Sequence, residues 1–134
     1  MDTYDADSVI GMIPFAAGLG IEVAELTPQR VVATMEWAAD RCTTAGILHG
    51  GALMAFADTA GALCAAANLP PGAGTTTIES KTNFFRAVRA GTVTATSTPL
   101  HAGRRTIVAQ TNLTNDRGAL VAQVTQTQAV LPAG

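Results

Sequence analysis

Charge is scarce in this chain of 134 residues: Asp, Glu, Lys and Arg make up 13%, leaving a formal net charge of −2. Set against 48% hydrophobic residues, so little charge excludes a disordered tail or an acidic solvating segment. The eight Lys and Arg residues form no long basic run, so nucleic acid is not expected as a partner. Cysteine is nearly absent. Cys42 and Cys64 form no CxxC pair, and His49 and His101 are the only histidines, so no zinc ligand set exists. Two buried, reduced thiols are expected, with a disulfide left open. Also missing are a GxSxG elbow, a P-loop and a GxGxxG fingerprint. The only serines, Ser8, Ser80 and Ser97, sit on no recognisable turn, so a Ser-His-Asp enzyme has little support. The start, MDTYDADSV, has no basic segment leading into an apolar one, so no signal peptide is visible. Residues 50–67 are apolar but Ala-rich and carry Asp58, which reads as a core helix and not a membrane span. A cytoplasmic protein without membrane contact is the default expectation.

What is present has the length of one domain, 1–134. The apolar content exceeds what one small monomer hides, which favours self-association. Residues 5–17 suggest one or two short helices, interrupted by Pro14 and ended by Gly18 and Gly20. Residues 21–26, a Thr27-Pro28 turn and RVVATMEW predict a hairpin. The segment AADRCTTAGILHG has turn character. GGALMAFADTAGALCAAA is the strongest helix candidate, apolar on nearly every face and so expected to be enclosed on most sides. After the breaker-rich LPPGAG the period changes to two. TTTIESKTNFF, GTVTATSTPL, RTIVAQTNL and ALVAQVTQTQAV are strand-type runs joined by RAVRAG, HAGR and NDRG, short turn-like segments. The predicted class is α+β: a curved antiparallel sheet of about six strands around one long helix.

The chemistry gathers at His49-Gly50-Gly51, with Asp58 nine residues beyond the histidine. Gly50 and Gly51 stand where the helix begins, where backbone N–H groups are unpaired and partly positive. Without side-chain bulk a ligand oxygen comes close, as stabilisation of an oxyanion requires; an ordinary glycine-rich loop is the bland alternative. Asp58 is the lone charged residue in an apolar helix, a placement that is costly without partners. It acts either in catalysis or as a hydrogen-bonded structural carboxylate. At about 1.5 Å rise per residue, Gly50 and Asp58 lie about 12 Å apart along one helix. One carbonyl cannot touch both, so a joint role requires two chains with antiparallel helices. Thr75, Thr76 and Thr77 are candidates to bond a water or the Asp58 carboxylate, against plain β-propensity. His49 is an acid-base candidate, with capping or packing favoured. Arg86, Arg89, Arg104 and Arg105, with His101, lie in turns that suit phosphate groups or are solvated charges.

The string GILHGGALMAFADTAG resembles the helix motif of the hotdog-fold thioesterases, in the branch of the phenylacetate-pathway and 4-hydroxybenzoyl-CoA thioesterases. The resemblance continues through TNFFRAVRAG and HAGRR and covers residues 12–130. It implies a sheet wrapped around a central helix, pairing into dimers or dimers of dimers, and hydrolysis of an acyl-CoA thioester. No separate cofactor and no metal are implied, since CoA is part of the substrate. By the same resemblance Asp58 is nucleophile or general base, Gly50 polarises the carbonyl and His49 is the motif histidine. Thr77 assists the water. Gly51, Thr43, Thr76, Arg86, Arg104 and Arg105 are expected on the substrate and CoA side. The family commonly has Asn or Gln six residues before the motif histidine, where this chain has Thr43. That departure keeps a second reading in view, an acyl-CoA-binding module without turnover. A hydratase reading fits less well, because His49 directly before Gly-Gly does not resemble the hydratase arrangement. The acyl group is not legible, although few aromatics and many Ala side chains fit a pocket of modest size.

Overall fold

The computed structural model describes residues 5–134. A 3-10 turn, Val9–Met12, precedes the short helix α1, Pro14–Gly18, in which Pro14 occupies a first-turn position that needs no N–H partner. Strands β1 (Glu22–Leu26) and β2 (Val31–Glu36) form the expected hairpin. A loop tied by a Cys42–Leu48 bridge leads into α2, Gly50–Ala66. Strands β3 (Gly74–Phe84), β4 (Thr92–Ala102), β5 (Thr106–Thr114) and β6 (Leu120–Leu131) complete the described chain.

All six strands join one antiparallel sheet in the order β1-β2-β4-β5-β6-β3. Burial alternates along β2, β4, β5 and β6, as one-sided strands require. Val31, Ala33, Met35, Val93, Ala95, Ala109 and Leu113 form the inner face. Helix α2 contributes Leu53, Phe56, Ala57, Ala60 and Leu63 to the same core and packs against every strand from β2 to β6. One helix thus serves as the core of a sheet that bends round it, the α+β arrangement predicted from the sequence pattern. Fully burying one such Leu or Phe stabilises the fold by about 1.5–3 kcal/mol.

Two expectations need correction. RAVRAG is not a short turn between neighbouring strands, because β6 and β5 stand between β3 and β4. Strand β4 is already paired on both sides by β2 and β5, so β3 docks on the free edge of β6. Residues 85–91 therefore cross the end of the sheet. The Phe85 N–H donates to the Val121 carbonyl (2.8 Å), the Leu48 N–H donates to the Val88 carbonyl (2.9 Å), and Val88 is buried. The second correction concerns the Asp58 side of α2, which stays open in the single chain although the rest of the helix is buried or half-buried. Gly51, Met54 and Asp58, spaced by about one turn, form an exposed stripe beside β3. The curved sheet leaves that stripe open, and most of β3 is itself exposed.

Both cysteines are free, Cys64 buried and Cys42 half-buried. No helix among the described residues is long and apolar enough to cross a membrane.

Candidate active site

The start of α2 shows why two glycines follow the histidine. His49 is the N-cap, in extended conformation, and its Nδ1 accepts the Gly51 N–H at 2.7 Å. A Cβ at Gly51 would lie 2.9 Å from that same Nδ1, so glycine is what lets the imidazole fold over the amide. The Ala52 and Leu53 N–H groups donate to the His49 carbonyl oxygen. Of the first four amides of α2, only that of Gly50 has no partner among the described residues. It opens onto an apolar groove of about 400 Å³ lined by Thr43, Leu53, Phe84, Phe85 and Arg86 among others. The Phe84 ring lies over Gly50, 3.3 Å from where a Cβ would stand. His49 is thus a capping group, and the Gly51 amide, expected on the substrate side, is taken by it.

Two turns along the helix, Asp58 is exposed in the single chain, against the expectation of a buried carboxylate. It is nonetheless held. Gln126 of β6 donates from Nε2 to Oδ1 at 3.0 Å, and Thr77 of β3 donates from Oγ1 to the same oxygen at 3.3 Å. Behind Thr77, Gln128 donates from Nε2 to Thr77 Oγ1 at 2.7 Å. The single Thr75 hydroxyl proton lies between two acceptors, the Ala129 carbonyl at 2.8 Å and Gln128 Oε1 at 3.1 Å. The polar chain therefore runs from β3 and β6 to one carboxylate oxygen of an exposed residue and leaves Oδ2 without a partner among the described residues.

Strand β3 reaches this arrangement through a bulge. Thr77 stands opposite Gln128, but Glu79 stands opposite Thr127, so Ile78 is the extra residue. Thr77 and Phe84 are seven residues apart and would face opposite sides of a regular strand. The bulge turns both inward, Thr77 to Asp58 and Phe84 to Gly50. Thr76 alternates to the other face and has no bond to Asp58.

The arginines are not gathered at one place. Arg86 lines the groove and donates from Nη1 to the Leu120 carbonyl at 3.1 Å. Arg104 and Arg105 lie exposed in the β4–β5 turn, where the Arg105 carbonyl accepts the Val130 N–H. That turn sits with the end of β6 and the start of β3, across the sheet from Phe84 and Gly50. Arg89 and His101 are exposed, and Thr43 is anchored by its own N–H on the Ile47 carbonyl. Within one chain, then, Asp58 and Thr77 meet, Gly50 lies near Thr43 and Arg86, and Arg104 is remote. Among the described residues no cluster of His, Cys, Asp or Glu is able to hold a metal ion.

Gln126 and Gln128 escaped the sequence reading. Their signal is the period of two in VTQTQAV, in which Val124, Gln126, Gln128 and Val130 share the inward register. Two glutamines at positions where an apolar residue is due mark an internal polar network.

Residues 45–122 match the family described as Thioesterase superfamily. The chain is 37% identical over 105 residues to the protein ComA2 of Bacillus subtilis, covering 77% of this chain and 82% of that one. It is 29% identical to the 1,4-dihydroxy-2-naphthoyl-CoA hydrolase of Listeria monocytogenes, over 77% of this chain and 84% of the relative. In three dimensions it is similar to the crystal structure of a thioesterase of Haemophilus influenzae, with a TM-score of 0.91, 28% identity and coverage of 97% and 92% of the two chains. A mutant thioesterase of Pseudomonas aeruginosa gives a TM-score of 0.91 at 26% identity, covering 98% and 96%.

Proposed function

The chain belongs to the thioesterase superfamily, a thioester hydrolase with the hotdog fold, and from that premise we propose that it cleaves an acyl-CoA or aryl-CoA thioester in a site shared by two copies of itself. Asp58 supplies the carboxylate, as nucleophile or as base on water, and the Gly50 N–H of the second copy holds the developing oxyanion. The C–S bond breaks, water provides the hydroxyl of the free acid and the remaining proton, and CoA leaves as its thiol. The observation that carries the reading is the pairing of two unfilled capacities on one face. Among the described residues, a carboxylate held only at Oδ1 and a helix amide without a partner stand about 12 Å apart, too far for one carbonyl.

Three further features support a second copy. The helix stripe of Gly51, Met54 and Asp58 and the long edge strand β3 are exposed together, and Ile78 within β3 is 62% exposed. A two-fold axis across that face sets two α2 helices antiparallel, so each Asp58 approaches the other chain's Gly50. It also carries the other chain's Arg104 and Arg105 toward the Gly50 end, where cations suit the phosphates of CoA. The curated relative named as a CoA-thioester hydrolase supports acyl-CoA as the substrate class. An acyl-CoA substrate fits the cytoplasm as the compartment of the proposed activity.

Subunit mixing tests this directly. Asp58→Ala removes the carboxylate. Gly50→Pro removes the N–H at a first-turn position that accepts proline, after a residue already in extended conformation. Each variant alone is expected to release CoA thiol from an acyl-CoA panel at no more than a small residual of the wild-type rate. Unfolded and refolded together in equal amounts, they regain about a quarter of the wild-type rate, since half of the random dimers carry one intact site. A dead mixture shows that both groups act within one chain; wild-type binding of acyl-CoA without turnover favours a sensing module.

A further inference from the structure

We propose that Gln126 is a positioning residue that aims the Asp58 carboxylate; the proposal rests on Asp58 being the reacting group. The side chain of Gln126 is completely buried, yet its Nε2 reaches an exposed carboxylate on the neighbouring helix at 3.0 Å. Its other end, Oε1, is buried without any hydrogen-bond partner among the described residues. A carboxamide kept for stability would be placed so that both ends were satisfied, or replaced by an apolar side chain of similar size. Here only the end that touches Asp58 is used. A flip of the amide would set Oε1 against the carboxylate oxygen, acceptor against acceptor, so the observed orientation is the one the chemistry allows.

Helix α2 is shaped to admit it. Gly61 stands one turn beyond Asp58, and a Cβ there would overlap the Gln126 carboxamide. Glycine inside a helix is a poor choice for the helix itself. Its position is explained by the passage it opens for Gln126 between sheet and helix. Both departures from good packing, the orphaned carbonyl and the interior glycine, serve a single bond to Asp58 Oδ1. With Thr77 on the same oxygen, the carboxylate is restrained against rotation about its last torsion. Oδ2 is then presented toward the open face in one orientation, the requirement for attack on a carbonyl carbon or on water. Gln128 belongs to the same device at one remove, because it holds Thr77 from behind.

Steady-state hydrolysis of an acyl-CoA that the wild type turns over decides the matter. Gln126→Leu removes the donor at similar volume; Gln126→Glu keeps the shape beside Gly61 and replaces the donor with an acceptor. Each is expected to lower kcat by about tenfold to a hundredfold, the range of a hydrogen bond to a charged group, with KM changed by less than about twofold. In the Asp58→Ala background, Gln126→Leu should have no further effect on the residual rate. The same fractional loss in both backgrounds would make the effect one of packing and overturn the proposal. Wild-type kcat in both Gln126 variants, with Asp58→Ala reduced to its residual rate, overturns it while leaving the role of Asp58 intact. An Asp58→Ala protein at the wild-type rate removes both.

Discussion

Cys64 sits on the buried side of α2 beside Ser97 of β4, whose hydroxyl accepts the Thr111 hydroxyl at 3.0 Å. Burial pushes its thiol up, and the bond with Ser97 opposes that only in part. The unfolded thiol ionises in the ordinary range, so the stabilising contribution of the neutral native thiol is complete below that range. It is lost as the pH climbs through the raised native value. Reactivity follows the same logic, since the thiolate is the nucleophile. Ellman's reagent on the native protein near pH 8 is expected to modify at most Cys42, whose Sγ lies 3.3 Å from the Ala38 carbonyl at the protein's edge. Both thiols react in denaturant; rapid native labelling of both would contradict the burial. The sequence reading expected two buried thiols, which holds for Cys64 but not for the half-buried Cys42. It did not separate the buried one from the half-buried one, because the difference lies in the fold around each.

Helix α2 was legible from its composition and its breakers, and its ends agree with the prediction within a residue. Its start was less so. His49-Gly50-Gly51 reads as one motif along the chain, yet the three residues do different things. His49 caps, Gly51 yields its amide to the cap, and Gly50 keeps its amide open. His49→Ala is expected to cost about 1 kcal/mol in urea unfolding, and His49→Asp, which restores a capping acceptor, to cost less. Equal stability of all three proteins would remove the capping role. Strand β3 shows the opposite case. Its period of two predicts a strand, but the bulge at Ile78 shifts the phase, so Thr77 and Phe84 face the same side. No residue in TTTIESKTNF announces an extra position, because the bulge is created by pairing with β6.

At the scale of the whole molecule, the sheet covers one side of α2 and leaves the Asp58 side and β3 bare. Ile78→Lys places a charge in the middle of that face, where association would bury it. It is expected to convert the assembly to monomers in sedimentation and to abolish thioester hydrolysis while the single chain keeps its far-ultraviolet spectrum. Full activity in a monomer would end the shared-site account. The linear order of residues by itself determined that one long apolar helix and several alternating strands must share a core, and that Asp58 is an exceptional group within the helix. Both follow from period and burial cost, which are local properties of the chain. Only the tertiary structure decided that β3 pairs with β6, that Gln126 and Thr77 converge on a single carboxylate oxygen, and that Arg104 lies far from Gly50 in one chain. Those are contacts between residues distant in sequence. Their geometry is set by which strand edges remain free once the local elements have formed.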